Sequence, residues 1–289
     1  MVLAMTIFDA TAFKKTTHTQ WNAVATRWNA WGPLLDSWLG PASEILLDMA
    51  HVTSGGRVLH VAGGSGQEAL QSVRRVGPSG YVETTDISEA LTTLATANFE
   101  AAGVRNAVAR VADGEELTVT GHPFDAVLSR VGLIYFPDQL GAVKRQAAAL
   151  RPGGYVGAIV YATGEECRFF SDPVGVIRRH AALPPPAPGQ PGPFSLGGPG
   201  RIEELFDAAS LTDVQVRKVN TPVVLPSALE CLRFEQESFG ALHQMLGQLD
   251  DASKARAWDE VGEKLSAFEV GGQFEGPCKM IVAVGRRPA

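Results

Sequence analysis

Apolar positions along this chain change their period several times, and the changes divide it into segments. Between residues 19 and 49, Trp21, Val24, Trp28, Trp31, Leu35 and Trp38 recur at steps of three and four. That is the period of an amphipathic helix, and Gly32-Pro33 marks a break and a fresh helix start. From residue 57 short apolar runs alternate with helical patterns: strands at 57–62, 81–85, 107–111, 124–129 and 155–161, helices from 67 and at 88–102 and 139–150. Such alternation predicts a parallel, doubly wound sheet, because parallel neighbours need a crossover and a helix is the usual one. Gly103 and the run Leu150-Arg-Pro-Gly-Gly154 read as helix stops. Beyond 161 the composition shifts. Residues 183–200 contain Pro-Pro-Pro-Ala-Pro-Gly-Gln-Pro-Gly-Pro and Gly-Gly-Pro-Gly, too rich in Pro and Gly for a helix or a central strand. A helix returns at 201–209, a strand at 214–218, a wholly helical stretch at 227–268 and a last strand at 279–285.

The first strand runs into Val61-Ala-Gly-Gly-Ser-Gly-Gln-Glu68 and then a helix. Gly63, Gly64 and Gly66 lack a Cβ, so the turn can take positive φ and a ligand can approach the main chain. The following helix turns its positive end toward a carboxylate-like or phosphate-like group. By itself the loop fits both the dinucleotide pattern G-x-G-x-x-G/A and the glycine signature of S-adenosylmethionine enzymes. Asp86, at the end of the second strand, can accept from two ribose hydroxyls, which both ligands possess. Asp113-Gly114, after the third strand, is more telling: a carboxylate stands where an adenine amino group could donate, with an N–H beside it for a ring nitrogen.

Composition narrows the partners. The chain has 289 residues, 45% hydrophobic, with a net charge of -6. It carries no general positive field for a polyanion, so nucleic acid is not expected as a partner. No stretch is long and apolar enough to span a membrane. Cys167, Cys231 and Cys278 stand far apart without a disulfide framework, and residues 1–20 do not resemble a secretory leader, so a cytoplasmic setting is expected. No carboxylate cluster suggests a catalytic metal.

Five motifs in order, Val58-Leu-His-Val-Ala-Gly-Gly-Ser-Gly66, Thr85-Asp-Ile-Ser88, Ala112-Asp-Gly-Glu-Glu-Leu117, Phe124-Asp-Ala-Val127 and Leu150-Arg-Pro-Gly-Gly154, resemble those of class I S-adenosylmethionine-dependent methyltransferases. The likeness is nearest to the ubiquinone/menaquinone-biosynthesis (methyltransferase type 11) kind and covers about residues 50–160 well. It implies an α/β, Rossmann-like seven-stranded sheet of order 3-2-1-4-5-7-6 with strand 7 antiparallel, S-adenosyl-L-methionine as cofactor and methyl transfer as activity. It implies further that Ala62, Gly63, Gly64 and Gly66 line the methionine part, Asp86 and Ile87 the ribose, and Asp113 and Gly114 the adenine, that Ser129 lies beside the methionine and sulfonium, and that Gln67 also belongs to the cofactor site. His60 stands where the family usually has Asp or Glu, either as a contact to the methionine amino group through water or as a tolerated residue at a strand end. Ala62 replaces the first glycine, a smaller departure if the strand ends there without positive φ.

On this reading residues 1–50 form an N-terminal helical cover, 51–161 the cofactor-binding core, 162–200 a Pro/Gly-rich lid, and 201–289 the rest of the core with a helical insertion at about 223–270. The leading tryptophans are apolar stripe residues. Trp21 and Trp28 are also the pair expected to face a sulfonium, which an aromatic face attracts. Tyr135 and Phe136 stand where other methyltransferases carry Asn/Asp-Pro-Pro-Tyr for exocyclic amines, and are expected to line the acceptor pocket. The expected substrate is an apolar or aromatic small molecule taking the methyl on O or C, in quinone or secondary metabolism. His180 is the histidine best placed to act as a base, although a lone exposed histidine is ordinarily only solvated. An NAD(P)-dependent oxidoreductase would leave Asp113 unexplained, and a non-catalytic S-adenosylmethionine-binding protein is favoured only by His60. Oligomeric state is open.

Overall fold

A computed structural model describes residues 8–119, 121–187 and 189–289; the first seven residues of the expected helical cover and residue 188 of the expected lid lie outside them. Helices α1 (Ala10–Ala30) and α2 (Gly32–Met49) precede β1 (Arg57–Val61), α3 (Gln67–Val76), β2 (Tyr81–Asp86), α4 (Glu89–Ala101), β3 (Ala107–Val111), β4 (Phe124–Arg130), α5 (Gln139–Ala149) and β5 (Leu150–Tyr161). Then follow α6 (Arg168–His180), α7 (Arg201–Ala208), β6 (Thr212–Asn220), β7 (Val223–Leu225), α8 (Ala228–Ser238), α9 (Gly240–Met245), α10 (Asp251–Ser266), β8 (Glu269–Val270), β9 (Gln273–Gly276) and β10 (Lys279–Arg286).

Seven strands make one sheet in the order β3-β2-β1-β4-β5-β10-β6, the expected 3-2-1-4-5-7-6. Strands β3, β2, β1, β4 and β5 pair in parallel, and β10 is antiparallel to both β5 and β6. Helices cover both faces, so the central strands are apolar without alternation: Val58, Leu59, Val61, Ala126, Val127, Leu128, Ile159 and Val160 are all buried.

Three elements depart from the sequence reading. Helix α1 begins at Ala10, well before the apolar period starts at 19, with the Asp9 carboxylate accepting from the Ala12 N–H at 2.9 Å as its cap. Its first turns carry no apolar stripe and are held instead by charge. Helix α6 lies within the stretch read as an irregular lid; Phe169, Phe170, Pro173, Val176 and Ile177 give it a buried face. The stretch 227–268 is interrupted at Phe239 and again between α9 and α10, and a second sheet, β7-β9-β8, flanks it. Its strands span two to four residues, too few for a period-two pattern to register.

The turn after β1 also differs. Ala62 sits at φ +55°, Gly64 at +58° and Gly66 at +85°. The chain therefore does need a left-handed residue at Ala62, contrary to the expectation from sequence, because β1 must turn sharply to start α3 over the sheet edge. A non-glycine residue there is strained by about 1–2 kcal/mol, part of which glycine would lose again through its freer unfolded chain. Ala62→Gly should thus raise stability by about 0.5 kcal/mol, read as a higher urea midpoint at unchanged slope; a lower midpoint would show that the Ala62 methyl packs better than its backbone strains.

Candidate functional site

Asp86 ends β2 and is only 6% exposed. Its carboxylate accepts from the Gly64 N–H at 3.0 Å and the Ser88 N–H at 2.9 Å, tying the turn after β1 to the start of α4. Burial pushes its pKa up to about 6, against the pull of those two N–H groups. The glycine turn it holds is bare of side chains for a reason. A Cβ on Gly63 would lie 2.1 Å from Thr84 Oγ1, and one on Gly114 would lie 2.6 Å from the Phe136 ring.

Around this turn lies a cleft over the carboxyl ends of β1, β2 and β4, bordered by Ala62, Gly63, Gly64, Gln67, Asp86, Ile87, Asp113 and Gly114, and roofed by Trp21, Trp28, Tyr135 and Phe136. Twelve of the residues expected at the site thus border one space. Gly66 does not: it faces Phe99 and Ala95 and serves the helix start. Ser129 is buried behind the wall, its Oγ beneath Gly132 and without a hydrogen bond. His180 is remote; its Nε2 meets Glu260 Oε2 of α10 at 2.8 Å, and it borders neither cavity described here.

Residues that the sequence reading did not assign complete the cleft. Lys14 of α1 pairs with Asp113 at 2.6 Å and with Glu115. Burial works against its ammonium, but these two carboxylates hold its pKa above the ordinary lysine value. Asn22 of α1 accepts from Ser88 Oγ at 2.7 Å and from the Ala90 N–H at 3.2 Å, and Asn29 Oδ1 accepts from Gln67 and Asn98. Helix α1 is therefore stitched across the cleft by polar contacts to the loop after β3, to the start of α3, and to α4 and its N-cap. With α1 so placed the cleft encloses about 100 Å³, below the roughly 300–1,000 Å³ of ligand pockets in general.

Beside it is a larger chamber of about 800 Å³, sharing Thr17, Trp21 and Tyr135 with the cleft and walled by Phe13, Phe170, Phe194, Phe239 and Met245. Trp21 stands edge-on to Trp28 at 5.2 Å and to Tyr135 at 6.0 Å, forming the partition between the two spaces. The described part of the Pro/Gly-rich stretch borders the chamber through Pro186 and residues 190–195, and is fixed by the Gly192 N–H donating to the Ile134 carbonyl at 2.8 Å.

Residues 58–154 match the family described as a methyltransferase domain. The nocamycin O-methyltransferase of Saccharothrix syringae is 25% identical over 86% of this chain and 92% of its own. The ubiquinone/menaquinone biosynthesis C-methyltransferase UbiE of Idiomarina loihiensis is 34% identical over 38% of this chain, which spans only 44% of that relative. A solved structure of Haemonchus contortus phosphoethanolamine N-methyltransferase 2, in complex with phosphomonomethylethanolamine and S-adenosylhomocysteine, shares the fold at a TM-score of 0.60 and 18% identity, over 98% of this chain and 61% of that one. Fold and matches together define an S-adenosyl-L-methionine-dependent methyltransferase. The match at 58–154, the relatives and the sheet order support a class I enzyme with S-adenosyl-L-methionine as its cofactor.

The ion pairs of Lys14 generate a prediction. Partly exposed pairs contribute about 0.2–1 kcal/mol, so Lys14→Met should speed amide exchange in residues 10–18 roughly two- to fivefold while leaving exchange in the β-sheet unchanged. Unchanged exchange in α1 would mean that the asparagine contacts alone hold the helix down.

Proposed function

We propose that the protein methylates an O or C atom of an apolar or aromatic small molecule, with the donor in the cleft and the acceptor in the adjoining chamber. The observation that carries this reading is the shared wall of Trp21 and Tyr135 between a small cleft holding Asp86 and Asp113 and an aromatic-lined space of about 800 Å³. The likeness to an O-methyltransferase of nocamycin over most of the chain supports a small-molecule acceptor.

In this reading Ala62, Gly63, Gly64 and Gln67 line the methionine part of the donor, Asp86 accepts from the ribose hydroxyls beside Ile87, and Asp113 with Gly114 meets the adenine. For Asp113 to accept from the adenine amino group, Lys14 must yield it or shift to Glu115. Bound S-adenosyl-L-methionine supplies a methyl group already activated by a positively charged sulfur. What this chain contributes is alignment and exclusion of water: the ring faces of Trp21 and Trp28 suit a cation, and the aromatic walls hold the acceptor against the partition. Tyr135 sits at that partition. Burial raises its phenol pKa, so it stays protonated and can donate to an acceptor oxygen but not act as a base. Pro186 and residues 190–193 serve as cover, and helix α1 must lift for the donor to enter.

Incubating the protein with methyl-labelled donor and a panel of apolar phenols, carboxylic acids and enolisable ketones tests the reading directly. Transfer to none of them, with transfer to peptide or nucleic acid instead, would overturn it. Filling the chamber with Phe170→Trp should lower kcat/KM for an accepted substrate by about tenfold or more while the dissociation constant for S-adenosylhomocysteine stays within twofold. Loss of both would place Phe170 in the donor site or the core. The pKa of Asp86 sets a pH dependence. An ionised carboxylate is the acceptor that ribose hydroxyls need, so donor affinity should be full above about pH 7 and fall as the pH drops through about 6. Calorimetric titration with S-adenosylhomocysteine between pH 5 and 8 reads this directly, and a curve flat across that range removes Asp86 from the ribose contact.

A further inference from the structure

The wall of the donor cleft holds two opposite charges that do not meet each other. Glu68, in the first turn of α3, is 2% exposed. One of its oxygens, Oε2, accepts from His60 Nδ1 at 3.2 Å, and His60, wholly buried, pairs through Nε2 with Ser72 Oγ at 2.8 Å. The other oxygen, Oε1, is buried without any hydrogen-bond partner among the described residues. Burial opposes the charge of Glu68, but His60, with a smaller contribution from Arg130, keeps its pKa below the ordinary carboxylate value. An ionised carboxylate can only accept, so His60 Nδ1 must carry the proton between them.

Arg130, at the end of β4, borders the same cleft. Its hydrogen-bond partner is Ser43 Oγ of α2 at 3.1 Å, and among the described residues it makes no ion pair. A buried acid with a spare oxygen is costly unless a ligand completes it, and a partly buried guanidinium with spare donors stands on the same cavity wall. Their charges define that ligand's end as a zwitterion with an ammonium and a carboxylate close together.

We propose that Glu68 and Arg130 bind the amino-acid end of the donor, with the ammonium against Glu68 Oε1 and the carboxylate against the Arg130 guanidinium. This rests on the cleft being the donor site. His60 is then a positioning residue: it never touches the donor, and it occupies one oxygen of Glu68 so that the other is presented. It also explains a histidine at the end of β1. The acid here stands in the first turn of α3, and the imidazole at the end of β1 lies against it.

Three probes separate the parts: S-adenosylhomocysteine, which has both charges; its deaminated analogue, which keeps the carboxylate; and 5′-methylthioadenosine, which has neither. Calorimetry on the unaltered protein should show adenosylhomocysteine binding about ten- to a hundredfold tighter than the deaminated analogue, the range expected for a charge-assisted contact. Glu68→Gln, nearly isosteric, should lose that margin for adenosylhomocysteine and leave the other two probes unchanged. Arg130→Met should weaken adenosylhomocysteine and the deaminated analogue alike and spare methylthioadenosine. His60→Phe should mimic Glu68→Gln in part, and His60→Gln, which retains a donor, should recover most of the loss. Equal affinity of the unaltered protein for the first two probes, or a loss in Glu68→Gln that extends to methylthioadenosine, overturns the proposal. If the unaltered protein binds none of the three, it is the donor-site reading that fails.

Discussion

One carboxylate holds the site together. Asp86 receives an N–H from the turn after β1 and another from the turn before α4, so two loops that approach from neighbouring strands are fixed to a single desolvated acid. The geometry of the glycine turn, strained at Ala62, depends on that tether, because a left-handed residue persists only where its surroundings over-determine it. The same desolvation that makes the tether rigid lifts its pKa toward neutrality, so rigidity and proton sensitivity arise from one cause. Everything else in the cleft is arranged about this fixed point.

The roof is held differently from the floor. Strands β1, β2 and β4 are anchored by continuous apolar burial, whereas α1 is tied down along its length by the polar contacts of Lys14, Asn22 and Asn29. Polar and ionic contacts of this kind exchange with water at little cost, while an apolar sheet does not. The second half of α1, from Trp21 to Trp28, is aromatic and faces both cavities. A helix tied down by polar contacts can open the cleft without unpacking the apolar sheet beneath it.

How much of this was readable beforehand follows the range of the interactions. The central strands β1, β2 and β4 lie within a residue or two of their expected limits, since burial on both faces leaves a nearly unbroken apolar run; β5 instead begins at Leu150, taking in the run read as a turn, and the strand order followed from a resemblance carried by five motifs. The cleft residues Gly63, Gly64, Asp86 and Asp113 were legible because turn chemistry is local. Lys14 was not: its partner Asp113 is 99 positions away, and nothing near Lys14 in the sequence signals it. Glu68 and Arg130 were hidden for a related reason, as an acid in a helix's first turn and a base at a strand end are both ordinary until a structure shows them sharing a wall. Helix α6 was masked by the Pro and Gly that follow it, although Phe169, Phe170, Val176 and Ile177 carried its period.

Strand β10 sits between β5 and β6, and β6 touches the main sheet only through it. During synthesis, then, five parallel strands can assemble while β6 waits beside them with no neighbour to pair with, until about 60 further residues have left the ribosome. Throughout that interval both β5 and β6 offer bare edges, the kind of surface on which another chain can pair. Completion of the enzyme is thus a single late insertion, and the time spent before it is when the nascent chain is most exposed to misassociation.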